Sequence, residues 1–262
     1  MPEPNTQYLD VGTGADHRRI AVLREEGRTP GLIWLPGFKS DMVSTKATAL
    51  SDWARKNGLA CIRFDYSGHG QSGGRFEEGT VGRWLEEAQA VFSQLTQGPT
   101  IVVGSSMGGY IALLLVRRLM AEAPDEAARI KALVLIAPAW DMTEELMWKE
   151  FPDEVRREVM EKGVWLRPSA YGDPYPITRG LIEEGRNHLF ARQPWDPGRP
   201  VHILQGLQDP DVPPEHTQEL VQFLTGGWTK LITVPDGDHR LSRPEDLELL
   251  FKVLKPLTEA DQ

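Results

Sequence analysis

Cysteine is nearly missing from this chain: Cys61 is the single one among 262 residues. No intrachain disulfide can form, so the fold must be held by its own core. Cys61 lies in Leu59-Ala60-Cys61-Ile62, an apolar run that reads as strand. That setting predicts a small buried core residue rather than a nucleophile. A run of 18 apolar residues is also absent, which excludes a bilayer-spanning helix of the usual kind. The opening MPEPNTQYLD has neither an apolar signal core nor an Arg-rich amphipathic pattern. A cytoplasmic location is the default expectation, with an organelle left open should a leader have been removed. Positive charge is in deficit: 29 Lys and Arg stand against 38 Asp and Glu, for a net charge of −9. Such a surface repels phosphate backbones and offers no attraction to anionic lipid, so nucleic acid is not expected as a partner. No dinucleotide fingerprint, phosphate loop or Cys/His cluster with metal-ligand spacing appears, and the chemistry is expected to need no cofactor and no metal.

What recurs is a short β-rich apolar run followed by a helix-like segment. The runs cover residues 32–35, 59–64, 100–103, 132–136, 201–204 and 231–234. None alternates cleanly with polar residues, which predicts central parallel strands covered on both faces. An earlier run, 18–23, alternates more and reads as an antiparallel edge strand. Helices are predicted near 44–56, 81–94, 107–121, 214–224 and 244–254; the last two open with proline, which suits a first helical turn. Strands alternating with helices imply crossover connections and an α/β fold. The segment from 141 to 200 breaks the rhythm. Residues 142–162 read as one or two amphipathic helices and 177–189 as another, so 141–200 is expected to be a helical cap inserted in a core formed by 1–140 and 201–262.

The most informative stretch is Gly104-x-Ser106-x-Gly108, which a strand enters and a long apolar helix leaves. Such a serine sits on a tight turn with glycines where side chains would collide, and its hydroxyl is lifted into a cleft. Ser106 is therefore the candidate nucleophile; Ser105 occupies a flanking position and should point elsewhere. The backbone N–H of Met107 would face a developing oxyanion. A base should follow later in the chain. His239 lies in a Gly-containing loop after the last strand, whereas His216 falls inside a predicted helix. For the acid, Asp209 and Asp211 both follow the 201–204 strand. Asp209 comes first, with Pro210 stiffening the turn behind it, and is preferred; Asp141, after the 132–136 strand, is a further rival. Asp236 and Asp238 are expected to shape the loop. A second oxyanion donor is expected from Leu35-Pro36-Gly37-Phe38-Lys39, through the N–H of Phe38. His69, in the glycine-rich 65–72 loop upstream of Ser106, is expected to be structural.

Together, Pro36-Gly37-Phe38, Asp65-x-x-Gly68-x-Gly70-x-Ser72, Gly104-x-Ser106-x-Gly108, Gly206-x-x-Asp209-x-x-Val212-Pro213 and Gly237-x-His239 resemble the α/β-hydrolase superfamily over nearly the whole chain. The stretches from Leu35 to Met42, Thr45 to Ala47 and Ala60 to Gly68, with Asp238-His239-Arg240, look like the mitochondrial acyl-protein thioesterase subgroup, which removes palmitoyl groups from cysteine and opens acyl glucuronides. The resemblance implies a mostly parallel eight-stranded sheet with helices on both faces, and Ser106, Asp209 and His239 as a catalytic triad. It implies an acyl ester or thioester substrate, including S-acylated proteins. Met142, Leu146, Met147, Trp148 and Trp165 of the expected cap would line an apolar acyl pocket. Three functions compete: an acyl thioesterase, a carboxylesterase for small esters, and an inactive binding module on a hydrolase scaffold.

Overall fold

A computed structural model describes residues 5–168 and 174–259. Ten strands and eight α-helices form among them. In chain order they are β1 (Gln7–Val11), β2 (Arg18–Glu25), β3 (Arg28–Leu35), α1 (Thr45–Lys56), β4 (Leu59–Phe64), α2 (Val81–Leu95), β5 (Thr100–Ser105), α3 (Met107–Glu122), α4 (Pro124–Ala128) and β6 (Ile130–Ile136). There follow α5 (Asp153–Lys162), β7 (Val164–Arg167), β8 (Tyr175–Thr178), α6 (Arg179–Gly185), β9 (Val201–Gly206), α7 (Pro214–Phe223), β10 (Thr229–Val234) and α8 (Pro244–Thr258).

Eight strands make one sheet in the order β1-β2-β4-β3-β5-β6-β9-β10. From β4 to β10 every pairing is parallel, while β1 and β2 pair antiparallel and β2 meets β4 antiparallel. This is the mostly parallel, doubly covered sheet that the apolar runs predict. β5 and β9 are buried along their whole length. One face packs against α2 and α3 through residues such as Val102, Leu133, Trp84, Ile111 and Leu115. The other packs against α1 and α8 through Ile101, Val103, Leu50, Leu250 and Leu254. Cys61 is part of that second layer, and burial pushes its thiol up to about 12.

Two expectations need correction. The 18–23 run is not the edge strand. β1 lies outside it, and β1 escapes a hydrophobicity reading because four of its five residues face solvent wholly or partly. Nor is the 141–200 segment helical throughout. It opens with a wide π-helical turn, Thr143–Trp148, continues through α5, and then forms an antiparallel pair, β7 with β8, before α6. Val164-Trp165-Leu166-Arg167 and Tyr175-Pro176-Ile177-Thr178 are β-branched and aromatic enough to pair, yet too short to stand out in the sequence.

Glycine lets the central elements approach. A Cβ on Gly108 would lie 2.0 Å from the Leu35 carbonyl oxygen, and one on Gly104 would lie 2.4 Å from the Gly108 carbonyl oxygen. α3 therefore seats its first turn directly on the ends of β3 and β5. A second constraint is ionic. Glu87 on α2 is fully buried, accepts the Ser67 N–H at 2.9 Å, and lies 2.9 Å from the Arg18 guanidinium. Burial pushes its carboxyl up to about 7.

Two outcomes follow from this packing. Gly108→Ala should lower the unfolding free energy by about 1–3 kcal/mol, because the clash outweighs the helix propensity that alanine adds; denaturant titration would read it, and unchanged stability would contradict the close approach. Because the folded carboxyl of Glu87 holds its proton more tightly than the unfolded one, its contribution is full below the ordinary glutamate range and is lost as pH rises through about 7. The thermal midpoint should fall between about pH 4.5 and pH 7 and level off above that, and Glu87→Gln should flatten the fall.

Candidate active site

Four loops converge at the carboxyl ends of β3, β5, β9 and β10. Ser106 sits between β5 and α3 with φ 54° and ψ −118°, a conformation that L side chains rarely adopt. The turn survives because it is bonded on every side. The Ser106 N–H donates to the Ile136 carbonyl at 2.8 Å, and the Ser106 carbonyl accepts from Gly109, Ala139 and Tyr110 at 2.9, 3.1 and 3.2 Å. Backbone strain held in this way is a feature of functional sites.

Asp209 and His239 come from the loops after β9 and β10. Those loops are tied together: Gln208 donates its N–H to the Gly237 carbonyl at 2.9 Å, and a Cβ on Gly206 would lie 2.3 Å from that same oxygen. The Ser106 hydroxyl lies 3.1 Å from His239 Nε2, and His239 Nδ1 lies 2.8 Å from Asp209 Oδ2. A carboxylate can only accept, so Nδ1 carries the proton and Nε2 is free to accept from the serine hydroxyl. The Asp209 carboxylate is wholly buried and the His239 ring about four-fifths buried. Asp209 Oδ1 accepts the N–H groups of Asp211 and Val212, both at 2.9 Å, and Gln205 Nε2 donates to Oδ2 at 3.3 Å. Gln205 is itself held, accepting from the Thr217 hydroxyl at 2.6 Å.

Of the rivals, Asp211 stays beside the site and the others are engaged elsewhere. Asp211 contributes its N–H to Asp209. Its carboxylate stands with Asp209 and His239 in a group whose ligand atoms all lie within 4.8 Å of one another. A cation there would have to displace the hydrogen bonds that already fill the Asp209 carboxylate. His216 stacks on Trp140 at 4.6 Å, and each bonds the other's backbone carbonyl at 2.8 Å. Asp141 accepts the Phe190 N–H at 3.0 Å, in a buried setting that pushes its carboxyl up to about 6. Asp238 accepts the N–H groups of Arg240 and Leu241 and so shapes the His239 loop. Asp236 pairs with Arg243. Lys46 of α1 donates to the Arg240 carbonyl from below that loop.

Pro36, Gly37 and Phe38 follow β3 and turn beside Ser106. A Cβ on Gly37 would lie 3.2 Å from the Ser105 carbonyl oxygen and 3.3 Å from Ser106 Cβ. Among the described residues neither the Phe38 N–H nor the Met107 N–H has a hydrogen-bond acceptor. The 65–72 loop braces this turn. Asp65 accepts the Met42 N–H at 2.6 Å and the Gln71 N–H at 2.7 Å, and His69 Nε2 accepts the Lys39 N–H at 3.2 Å. Sequence reasoning set His69 aside; its partner is 30 residues away, and no local pattern connects them.

Of the five residues expected to line a pocket, Met142 and Met147 are buried in the larger core cluster, and Leu146, Trp148 and Trp165 pack against it. Trp148 lies under the guanidinium groups of Arg156 and Arg186, and Trp165 packs edge-on against Phe151 at 5.1 Å. The ring from this segment that touches the site loops is another one, Tyr175. It packs edge-on against Phe38 at 5.7 Å, with the Lys39 ammonium 5.8 Å from its centre. Its only sequence signal is an aromatic residue at the start of a four-residue strand.

Comparison with known proteins agrees with this architecture. A family model described as "Alpha/beta hydrolase family" matches residues 30–248. The bovine protein named palmitoyl-protein thioesterase ABHD10, mitochondrial, is 34% identical over 249 residues, covering 93% of this chain and 78% of its own. A crystal structure of a putative hydrolase from Agrobacterium vitis S4 superposes with a TM-score of 0.93 at 44% identity, covering 97% of this chain and 99% of that one. The mouse alpha/beta hydrolase domain-containing protein 10 superposes with a TM-score of 0.83 at 31% identity, covering 97% and 98%. With its sheet order, its glycine-lined turn and these relatives all in agreement, the chain belongs to the α/β-hydrolase family.

Proposed function

We propose that this protein is a serine hydrolase that opens acyl thioesters and esters through an acyl-enzyme, with long-chain acyl thioesters, including S-acylated proteins, as its preferred substrate class. The observation that carries the reading is the unbroken hydrogen-bond chain from the Ser106 hydroxyl through His239 to Asp209, 3.1 and 2.8 Å long. In this reading Ser106 Oγ attacks the acyl carbon while His239 Nε2 takes its proton. Asp209 keeps the imidazole in the required tautomer and stabilises the imidazolium. The N–H groups of Phe38 and Met107 receive the oxyanion. Both border Ser106 and neither has an acceptor among the described residues, which is what a preorganised donor pair requires. His239 returns its proton to the departing thiol or alcohol, then activates the water that releases the acid.

Residues 141–200 serve in this reading as a cap over a core made of 1–140 and 201–262. Its apolar face supports an acyl pocket. Met142, Met147, Phe151, Ile177 and Leu181 belong to the same apolar cluster as Met107 and Tyr110 of α3. The thioester preference is supported by the relatives named palmitoyl-protein thioesterases.

A fluorophosphonate probe should label wild type at Ser106 and leave Ser106→Ala unlabelled; absence of label on folded wild type would end the reading. Asp209→Asn should lower kcat about 10³–10⁴-fold by leaving the imidazole in the wrong tautomer. Asp211→Asn should leave kcat nearly unchanged, and the reverse pattern would move the assignment. Across esters and thioesters with acyl chains of two to sixteen carbons, kcat/KM should rise with length and favour the thioester. A strict preference for acetyl or butyryl esters would instead assign a small-ester carboxylesterase.

A further inference from the structure

We infer that His69 is a positioning residue: as an acceptor for the Lys39 N–H, it holds the 36–39 turn so that the Phe38 N–H faces the reacting carbonyl. The inference rests on the role proposed above for Phe38.

The two contacts of the His69 ring define its state. Nε2 lies 3.2 Å from the Lys39 nitrogen, a group that can only donate. Nδ1 lies 3.1 Å from the Ser67 carbonyl oxygen, which can only accept. One arrangement satisfies both, with the proton on Nδ1 and a lone pair on Nε2. The surroundings favour that neutral form. His69 is buried, and the rings of Phe76, Trp84, Tyr66 and Phe38 surround it with centroids 5.1, 5.4, 6.1 and 6.4 Å away. Burial is the main cause that brings its pKa down to about 4, and the Lys39 ammonium adds to the effect while the Asp41 carboxylate opposes it.

The turn needs such a hold. Lys39 has φ 59°, a left-handed conformation for a residue that is not glycine. A strained residue of this kind costs on the order of 1–3 kcal/mol and persists only where its surroundings fix it. Asp65 holds the far side of the same loop through the Met42 N–H at 2.6 Å, but it does not reach Lys39. Remove the His69 acceptor, and the half-buried Lys39 N–H loses its hydrogen-bond partner. The Phe38 peptide next to it then loses its fixed orientation. Misplacing a reacting group by about 1 Å can cost on the order of 10²-fold in rate.

His69→Phe keeps an aromatic ring in the cage and removes the acceptor. His69→Gln puts an amide oxygen where Nε2 stood. Expected is a drop in kcat of about 10²-fold for His69→Phe, the size of one lost oxyanion donor, with KM nearly unchanged. A trifluoromethyl ketone analogue of the substrate, whose hemiketal oxygen occupies the same place, should lose affinity by the same factor. His69→Gln should recover most of both. Unchanged kcat in His69→Phe, a loss confined to KM, or a Gln variant as poor as Phe would overturn the inference. Nitrogen-15 NMR of the wild-type histidines tests it without a variant: His69 should be the Nδ1–H tautomer and stay neutral at pH 5. An Nε2–H tautomer, or an imidazolium at pH 6, would overturn it. If Ser106 takes no fluorophosphonate, the parent reading fails with it; if Ser106 is labelled but His69→Phe is as fast as wild type, this inference fails alone.

Discussion

Everything at the site hangs on the distance between α3 and the strand ends beneath it. The Gly108 backbone is pressed so closely on Leu35, and Gly104 on the Gly108 carbonyl, that no Cβ fits at either place. That approach forces the residue between β5 and α3 into a left-handed turn, and Ser106 occupies it. The same approach brings the end of β3 beside Ser106, so the 36–38 turn arrives next to its hydroxyl. The sheet need only supply β9 and β10 on the other side for Asp209 and His239 to complete the hydrogen-bonded chain. Close packing of backbone is thus converted into the placement of one hydroxyl, and the strain is carried by four backbone hydrogen bonds to Ser106.

Around that point two kinds of support differ in character. The Asp209 side is saturated: two backbone N–H groups, one glutamine amide and one imidazole satisfy its carboxylate, and Gln205 and Thr217 fix the donors in turn. The Phe38 side is braced from outside by Asp65 and His69, whose own loop closes because Gly70 leaves room for the Asp65 carboxylate. The glycine-rich 65–72 motif thus closes on the neighbouring turn. It is a strut between β4 and the turn after β3.

Much of this was legible in the sequence, for reasons that differ by residue. The parallel strands were visible because burial on both faces leaves uninterrupted Val, Ile and Leu. Ser106 stood out because its glycines answer a steric need that is local in the chain. His239 and Asp209 could be named from their order and from the loops that carry them, and the structure does bring both to Ser106. β1 was not legible, since an edge strand with one residue buried carries almost no pattern. The contact of Tyr175, and the partner of His69, were not legible for another reason. Each residue matters through a contact with a residue distant in the chain, Phe38 or Lys39, and spacing records nothing about that.

The bond between Asp141 and Phe190 has a consequence for how such a protein can change. These residues mark the two ends of the excursion between β6 and β9. Besides their mutual bond, Arg117 and Tyr110 of α3 hold the His188 carbonyl beside them. The excursion is cinched at its neck. Beyond the neck, a change of length in its exposed connections costs little in loop-closure entropy, about 0.6 kcal/mol for each doubling, whereas its buried residues, Met147, Ile177 and Leu181 among them, stay tied to the core. The strands on either side would keep their register. A lineage could therefore exchange the exposed part of that excursion while the strained turn at Ser106 remained untouched.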